Sequence, residues 1–80
     1  MTATFERLQN VFREVFDNGN MVISEDMTAG DVEDWDSLRH MDLISSVEHE
    51  FNVKFTMKDI LGLKNVGEFL DTLERKLRHG

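Results

Sequence analysis

Apolar residues return at helical intervals in three separate stretches of this chain, a periodicity that leaves little room for strands. Phe5, Leu8, Phe12, Val15 and Phe16 mark the first stretch, with Thr4 as its N-cap and Asn18-Gly19 as a left-handed stop. A second opens at Ser37 and sets His40, Ile44, Val47 and Phe51 on one stripe, ending at Asn52 and a short extended Val53-Lys54-Phe55. Val66, Phe69, Leu70, Leu73 and Leu77 form the last stripe. Asn65 caps it, Glu68 places an acid in its first turn, and Arg75, Lys76 and Arg78 suit the negative end of its dipole. Between them, Thr56-Met57-Lys58-Asp59 has the form of a capping box with Asp in place of Glu, and Gly62 closes that short turn. The pattern predicts an all-α fold: a small up-and-down four-helix bundle, three main helices plus a short third, with a long loop between helices 1 and 2. Connections as long as residues 20–36 in compact domains are usually functional or a sign of a misassigned element. Met21, Val22, Ile23 and Met27 are expected to pin this one, with Trp35 anchoring its far end.

Eighty residues allow one domain, taken as 1–80, and 40% hydrophobic content with six Phe suffices for its core. A cleft walled by two domains is out of reach, which argues against an autonomous enzyme. The net charge of −7 argues against binding nucleic acid or anionic membranes and for basic protein partners. Without cysteine, neither disulfides nor a Cys-based zinc site holds the fold. No apolar run reaches membrane-spanning length and no basic-then-apolar leader opens the chain, so it reads as cytoplasmic.

Chemistry concentrates at Asp36-Ser37-Leu38. From Glu25 to Asp36 run six carboxylates and no basic residue, and the helical pattern begins immediately afterwards. Ser37 thus stands at a helix N-terminus, where free N–H groups and the positive dipole end favour a phosphate. Asp followed by Ser is also ordinary helix capping, so the tripeptide alone decides nothing. Advancing about 100° per residue from Leu38 puts Asp42, Ser45 and His49 on one side, with Met41 and Glu48 between that side and Ser37. Ile44, Val47 and Phe51 point the other way. His40 falls on the core-side stripe, where packing at a core edge with one hydrogen bond is favoured over lining a pocket. A Ser37–His40–Asp36 triad lacks both the G-x-S-x-G turn and a group to orient the imidazole. No metal site is read either, since His40 and His49 turn to opposite sides and the acidic run lacks the pattern of a calcium loop.

The segments Glu33-Asp34-Trp35-Asp36-Ser37-Leu38, Met41-Asp42-Leu43-Ile44 and Val47-Glu48-His49-Glu50-Phe51 closely resemble the prosthetic-group region of acyl carrier proteins. The order of helices and the Asn-Val-Gly-Glu-Phe-Leu start of the last one extend the resemblance over essentially the whole chain. It implies a carrier without catalysis of its own, in which a phosphopantetheinyl transferase moves 4′-phosphopantetheine from coenzyme A onto Ser37. The arm's thiol would then hold acyl groups as thioesters, supplying the thiol that the sequence lacks. Asp36 would neighbour the attachment point and Leu38 would be an exposed contact for the modifying enzyme. Leu38, Arg39, Met41, Asp42, Ser45 and Glu48 would form the face met by acyl-loading and acyl-transfer enzymes, with the carrier working as a monomer. Fatty-acid carriers commonly have an acid after Ser-Leu and a glutamate run late in this helix. Here Arg39 stands at the first place, His49 interrupts Glu48 and Glu50, and Ser45 replaces a bulky apolar residue. The resemblance therefore points to polyketide or specialised lipid synthesis slightly ahead of primary fatty-acid synthesis. The alternatives are an aminoacyl or peptidyl carrier and an acidic helical adaptor without a prosthetic group.

Overall fold

The computed structural model describes residues 3–79 and folds them into α1 (Ala3–Val15), α2 (Ser37–Phe51), α3 (Met57–Leu61) and α4 (Val66–His79). Among the described residues the sole β pairing is an isolated antiparallel bridge between Thr28 and Asn65. Helix ends follow local chemistry. At α3, Thr56 Oγ1 accepts from the Asp59 N–H at 3.1 Å and the Asp59 carboxylate accepts from the Thr56 N–H at 2.9 Å, a complete capping box. At α4, Asn65 Oδ1 accepts from the Glu68 N–H at 2.8 Å. Asn52 ends α2 in the left-handed region (φ 55°), and the Val53 N–H returns to the Glu48 carbonyl at 3.1 Å.

The ends of α1 correct the sequence reading. Thr4 lies inside the helix, so the cap position falls outside the described residues. The left-handed residue is Asp17 (φ 50°), whereas no described glycine has positive φ. The Asn18 N–H reaches the Arg13 carbonyl at 2.9 Å and the Asp17 N–H reaches the Glu14 carbonyl at 3.3 Å. This is the paired closure of a helix C-terminus, which Asp can supply because its short polar side chain tolerates that conformation.

The connection from α1 to α2 is ordered by hydrogen bonds to the helices it passes. Arg13 Nε donates to the Met21 carbonyl at 2.7 Å, and the Ile23 N–H donates to Gln9 Oε1 at 3.0 Å. The carbonyls of Met27 and Glu25 accept from the Val66 and Gly67 N–H groups, at 3.0 and 2.7 Å. These are first-turn donors that α4 cannot satisfy itself. A Cβ at position 67 would stand 3.0 Å from the Glu25 carbonyl oxygen, so a side chain there would press on this contact and the connection would have to give by a few tenths of an ångström. Met21 and Ile23 are buried and Met27 is partly buried, as expected, but Val22 is 70% exposed. The extended chain sends neighbouring side chains to opposite sides, and Met21 and Ile23 take the inner one.

Leu8, Phe12, Leu43, Val47, Val66, Phe69 and Leu73 form the fully buried centre. Leu43 widens the buried stripe of α2 beyond the residues that periodicity selects, while Leu77 drifts to 41% exposure at the end of α4. Two arginines bind α1 and α2 antiparallel. Arg7, early in α1, reaches the end of α2: Nη2 donates to the Glu50 carbonyl at 2.7 Å, Nε pairs with its carboxylate at 3.1 Å, and the guanidinium lies over Phe51. Arg39, in the first turn of α2, reaches the end of α1, where Nη1 donates to the Val15 carbonyl at 2.6 Å. Each helix thus has an orphan C-terminal carbonyl satisfied by a cation from its neighbour. Arg39, expected on the face met by partner enzymes, is half-buried, and its Nη1 is directed at α1. Glu48 likewise turns inward, its carboxylate accepting from the Phe55 N–H at 2.7 Å.

Leu43→Ala should lower unfolding free energy by about 2–5 kcal/mol, because Leu43 is fully enclosed and the space left by its side chain would not be filled. Leu38→Ala should change it by less than about 0.5 kcal/mol, as for a surface site. Chemical denaturation of both variants checks the contrast, and equal losses would place Leu38 in the core.

Candidate functional site around Ser37

The first turn of α2 divides its labour between adjacent residues. Asp36 is extended (φ −103°, ψ −173°), and its Oδ1 accepts the Arg39 N–H at 2.9 Å, so the cap is Asp36. Ser37 is the first helical residue, solvent-exposed, and its hydroxyl makes no hydrogen bond within the described protein. A free oxygen nucleophile is thereby presented at a helix N-terminus without any part in holding that terminus. Next to it Leu38 is 72% exposed and Met41 52% exposed, and Asp42 and Ser45 are exposed on the same helix. These four occupy the outward side given by helical phase, whereas Arg39 and Glu48 do not present their charged ends there.

A groove of about 700 Å³ opens at Asp36 and Ser37, lined by Trp35, His40 and Met41 and by Ala29, Leu63 and Lys64. Trp35 is buried edge-on against Phe12 and Phe16, with centroids 5.4 and 6.1 Å apart, which fixes the loop's last residues against α1. Its Nε1–H donates to His40 Nδ1 at 3.0 Å, and the two rings stack at 6.0 Å. Phe69 meets His40 edge-on at 5.9 Å. His40 therefore packs at a core edge with one hydrogen bond, as the stripe suggested, and also borders the groove. The Trp35 partnership was not visible in the sequence, because it depends on the turn that brings the loop's end back over the first turn of α2. Accepting at Nδ1 requires the neutral ring, and burial lowers the His40 pKa from 6.5. Among the described residues no group of three or more His, Asp or Glu side chains is placed to hold a metal ion.

Asp36→Ala should cost about 0.5–2 kcal/mol through loss of the cap, whereas Ser37→Ala should leave stability within about 0.5 kcal/mol of wild type. Thermal melts of both variants test this. A depressed histidine pKa stabilises the fold above the unfolded value of 6.5, and that contribution is lost as pH falls through the folded pKa. Trp35 emission should accordingly change as the solution is acidified below pH 6.5, and His40→Gln should abolish the step. Asp59 acts lower on the scale. The Lys76 ammonium at 2.8 Å, helped by the Thr56 N–H, holds its pKa at about 2 against 3.8, so its contribution disappears only between those values.

The model for the phosphopantetheine attachment site family matches residues 6–73, which include the α2 start, the groove and most of α4. A holo acyl carrier protein from Geobacter metallireducens, solved by solution NMR, superposes with a TM-score of 0.90 at 38% identity. The match covers 98% of this chain and 90% of that one. No curated protein matches. An exposed hydroxyl with no internal partner beside an open groove fits such a group. The chain belongs to the phosphopantetheine attachment site family and is an acyl-carrier-like protein that takes a covalent 4′-phosphopantetheine, a carrier and not an enzyme.

Proposed function

We propose that Ser37 is the attachment residue and that the chain, as one carrier domain over 1–80, ferries acyl groups in a specialised lipid or polyketide pathway. One observation carries this reading: the Ser37 hydroxyl is exposed and unbonded while Asp36 caps the helix. Attack of the Ser37 oxygen on the β-phosphorus of coenzyme A forms a phosphodiester and releases adenosine 3′,5′-bisphosphate, with the hydroxyl proton taken by a base of the transferase. The arm, once attached, supplies a thiol that carries acyl groups as thioesters. The chain's own residues do the rest. Asp36 keeps the first turn closed, and Trp35 and His40 wall the groove beside the attachment point. Leu38 and Met41 offer apolar contacts, with Asp42 and Ser45 beside them, to the transferase and to acyl-handling enzymes.

Arg39 carries less of the preference for a specialised partner, since it is half-buried and its Nη1 donates to the Val15 carbonyl. Ser45 and the exposed His49 carry more of it. Glu50 is also occupied, by Arg7, so α2 offers a basic partner fewer free carboxylates than its composition suggests. An aminoacyl or peptidyl carrier uses the same serine and is the second reading; a partner-binding adaptor would not need the hydroxyl. We place the protein in the cytoplasm as a monomer; no described helix is long and apolar enough to cross a membrane.

Intact mass after incubation with coenzyme A and a phosphopantetheinyl transferase should rise by one phosphopantetheine for wild type and not at all for Ser37→Ala. Leu38→Ala should slow the modification while the melting temperature stays put. A fully modified alanine variant at position 37 would remove the carrier assignment of that residue.

A further inference from the structure

A phosphodiester on Ser37 enters an acidic neighbourhood. Asp36 adjoins it in sequence, and Glu33 and Asp34 are exposed just before. Of the nearby cations, Arg39 directs Nη1 to the Val15 carbonyl and does not line the groove. Lys64, in the α3–α4 connection, is exposed, forms no ion pair among the described residues, and borders the groove that Ser37 also lines. Asp36 also lines that groove, its Oδ1 taken up by the Arg39 N–H, and the rest is apolar or neutral: Ala29, Met41 and Leu63, with Trp35 and His40 bonded to each other. A single ammonium without an ion pair thus borders the same groove as the place where a new negative charge would be added.

We propose that Lys64 is the counter-charge of the prosthetic group's phosphodiester, drawing the start of the arm across the groove toward the α3–α4 connection. This rests on the assignment of Ser37 as the attachment residue. The α2 N-terminus alone would hold the phosphate over the helix end, leaving the groove unspanned. An ion pair to Lys64 would instead lay the arm's first atoms along Trp35 and Met41. Because the pair spans exposed groups, it must weaken with salt.

The test uses the modified protein, verified by mass, as wild type, Lys64→Gln, Lys64→Glu and Lys58→Gln. Lys58 is an exposed lysine on α3 that does not border the groove. The phosphorus-31 resonance of the phosphodiester should shift between about 20 mM and about 1 M salt in wild type and Lys58→Gln. In Lys64→Gln the low-salt resonance should already sit at the high-salt position and stay there. Trp35 emission should respond to modification in wild type and respond less in Lys64→Glu. Normal mass gain with the same phosphorus resonance and salt response in wild type and Lys64→Gln overturns the assignment of Lys64 and leaves Ser37 intact. No mass gain on wild type overturns both.

Discussion

The ring of Phe12 is the point through which the parts of this molecule communicate. It stacks on Phe16, meets Trp35 edge-on at 5.4 Å and meets Phe69 edge-on at 6.1 Å, so α1, the long connection and α4 converge on one side chain. α2 joins through His40, which stacks on Trp35 and touches Phe69. Aromatic contacts of this kind add direction to burial, since edge-on rings fix angles that aliphatic packing leaves free. The groove wall at Trp35 and His40 is therefore continuous with the core. Its shape depends on the same rings that hold the helices together.

Much of the architecture can be read from local chemistry. The box at Thr56–Asp59, the cap at Asn65 and the stop at Asn52 need only neighbours in sequence, and each forms as read. Ser37 is legible for the same reason, being the hydroxyl at a helix start. What sequence misses is long-range. Nothing near Arg39 announces that its partner is the Val15 carbonyl, and nothing near Arg7 announces the end of α2. A charge judged by helical phase is judged only by direction, yet a long side chain can fold back and serve a neighbouring helix. Glu48 repeats the lesson at the other end of α2, where it satisfies the Phe55 N–H. Asp17 shows a local limit: Asn-Gly is the stronger signal for a left-handed turn, yet the left-handed residue stands one position earlier.

The site gains from separating structure and chemistry. A serine that both capped the helix and carried a prosthetic group would lose one role on taking up the other. Here Asp36 caps and Ser37 is free, so a change at the hydroxyl leaves the helix terminus as it was. The arginine pair acts in the same sense at a distance. By fixing the first turn of α2 to the end of α1, Arg39 gives Ser37 a rigid base although it does not touch the groove's contents.

The bonds from Val66 and Gly67 to Met27 and Glu25 carry a dynamic consequence. First-turn amides of a helix normally exchange with solvent quickly, since nothing in the helix binds them. Here their protection is supplied by a segment some forty residues earlier in the chain. Exchange at those two amides therefore reports on separation of the α1–α2 connection from the start of α4, whichever of the two moves. These two bonds tie the acidic segment to the start of α4. A partner that pulled on either would be felt at both.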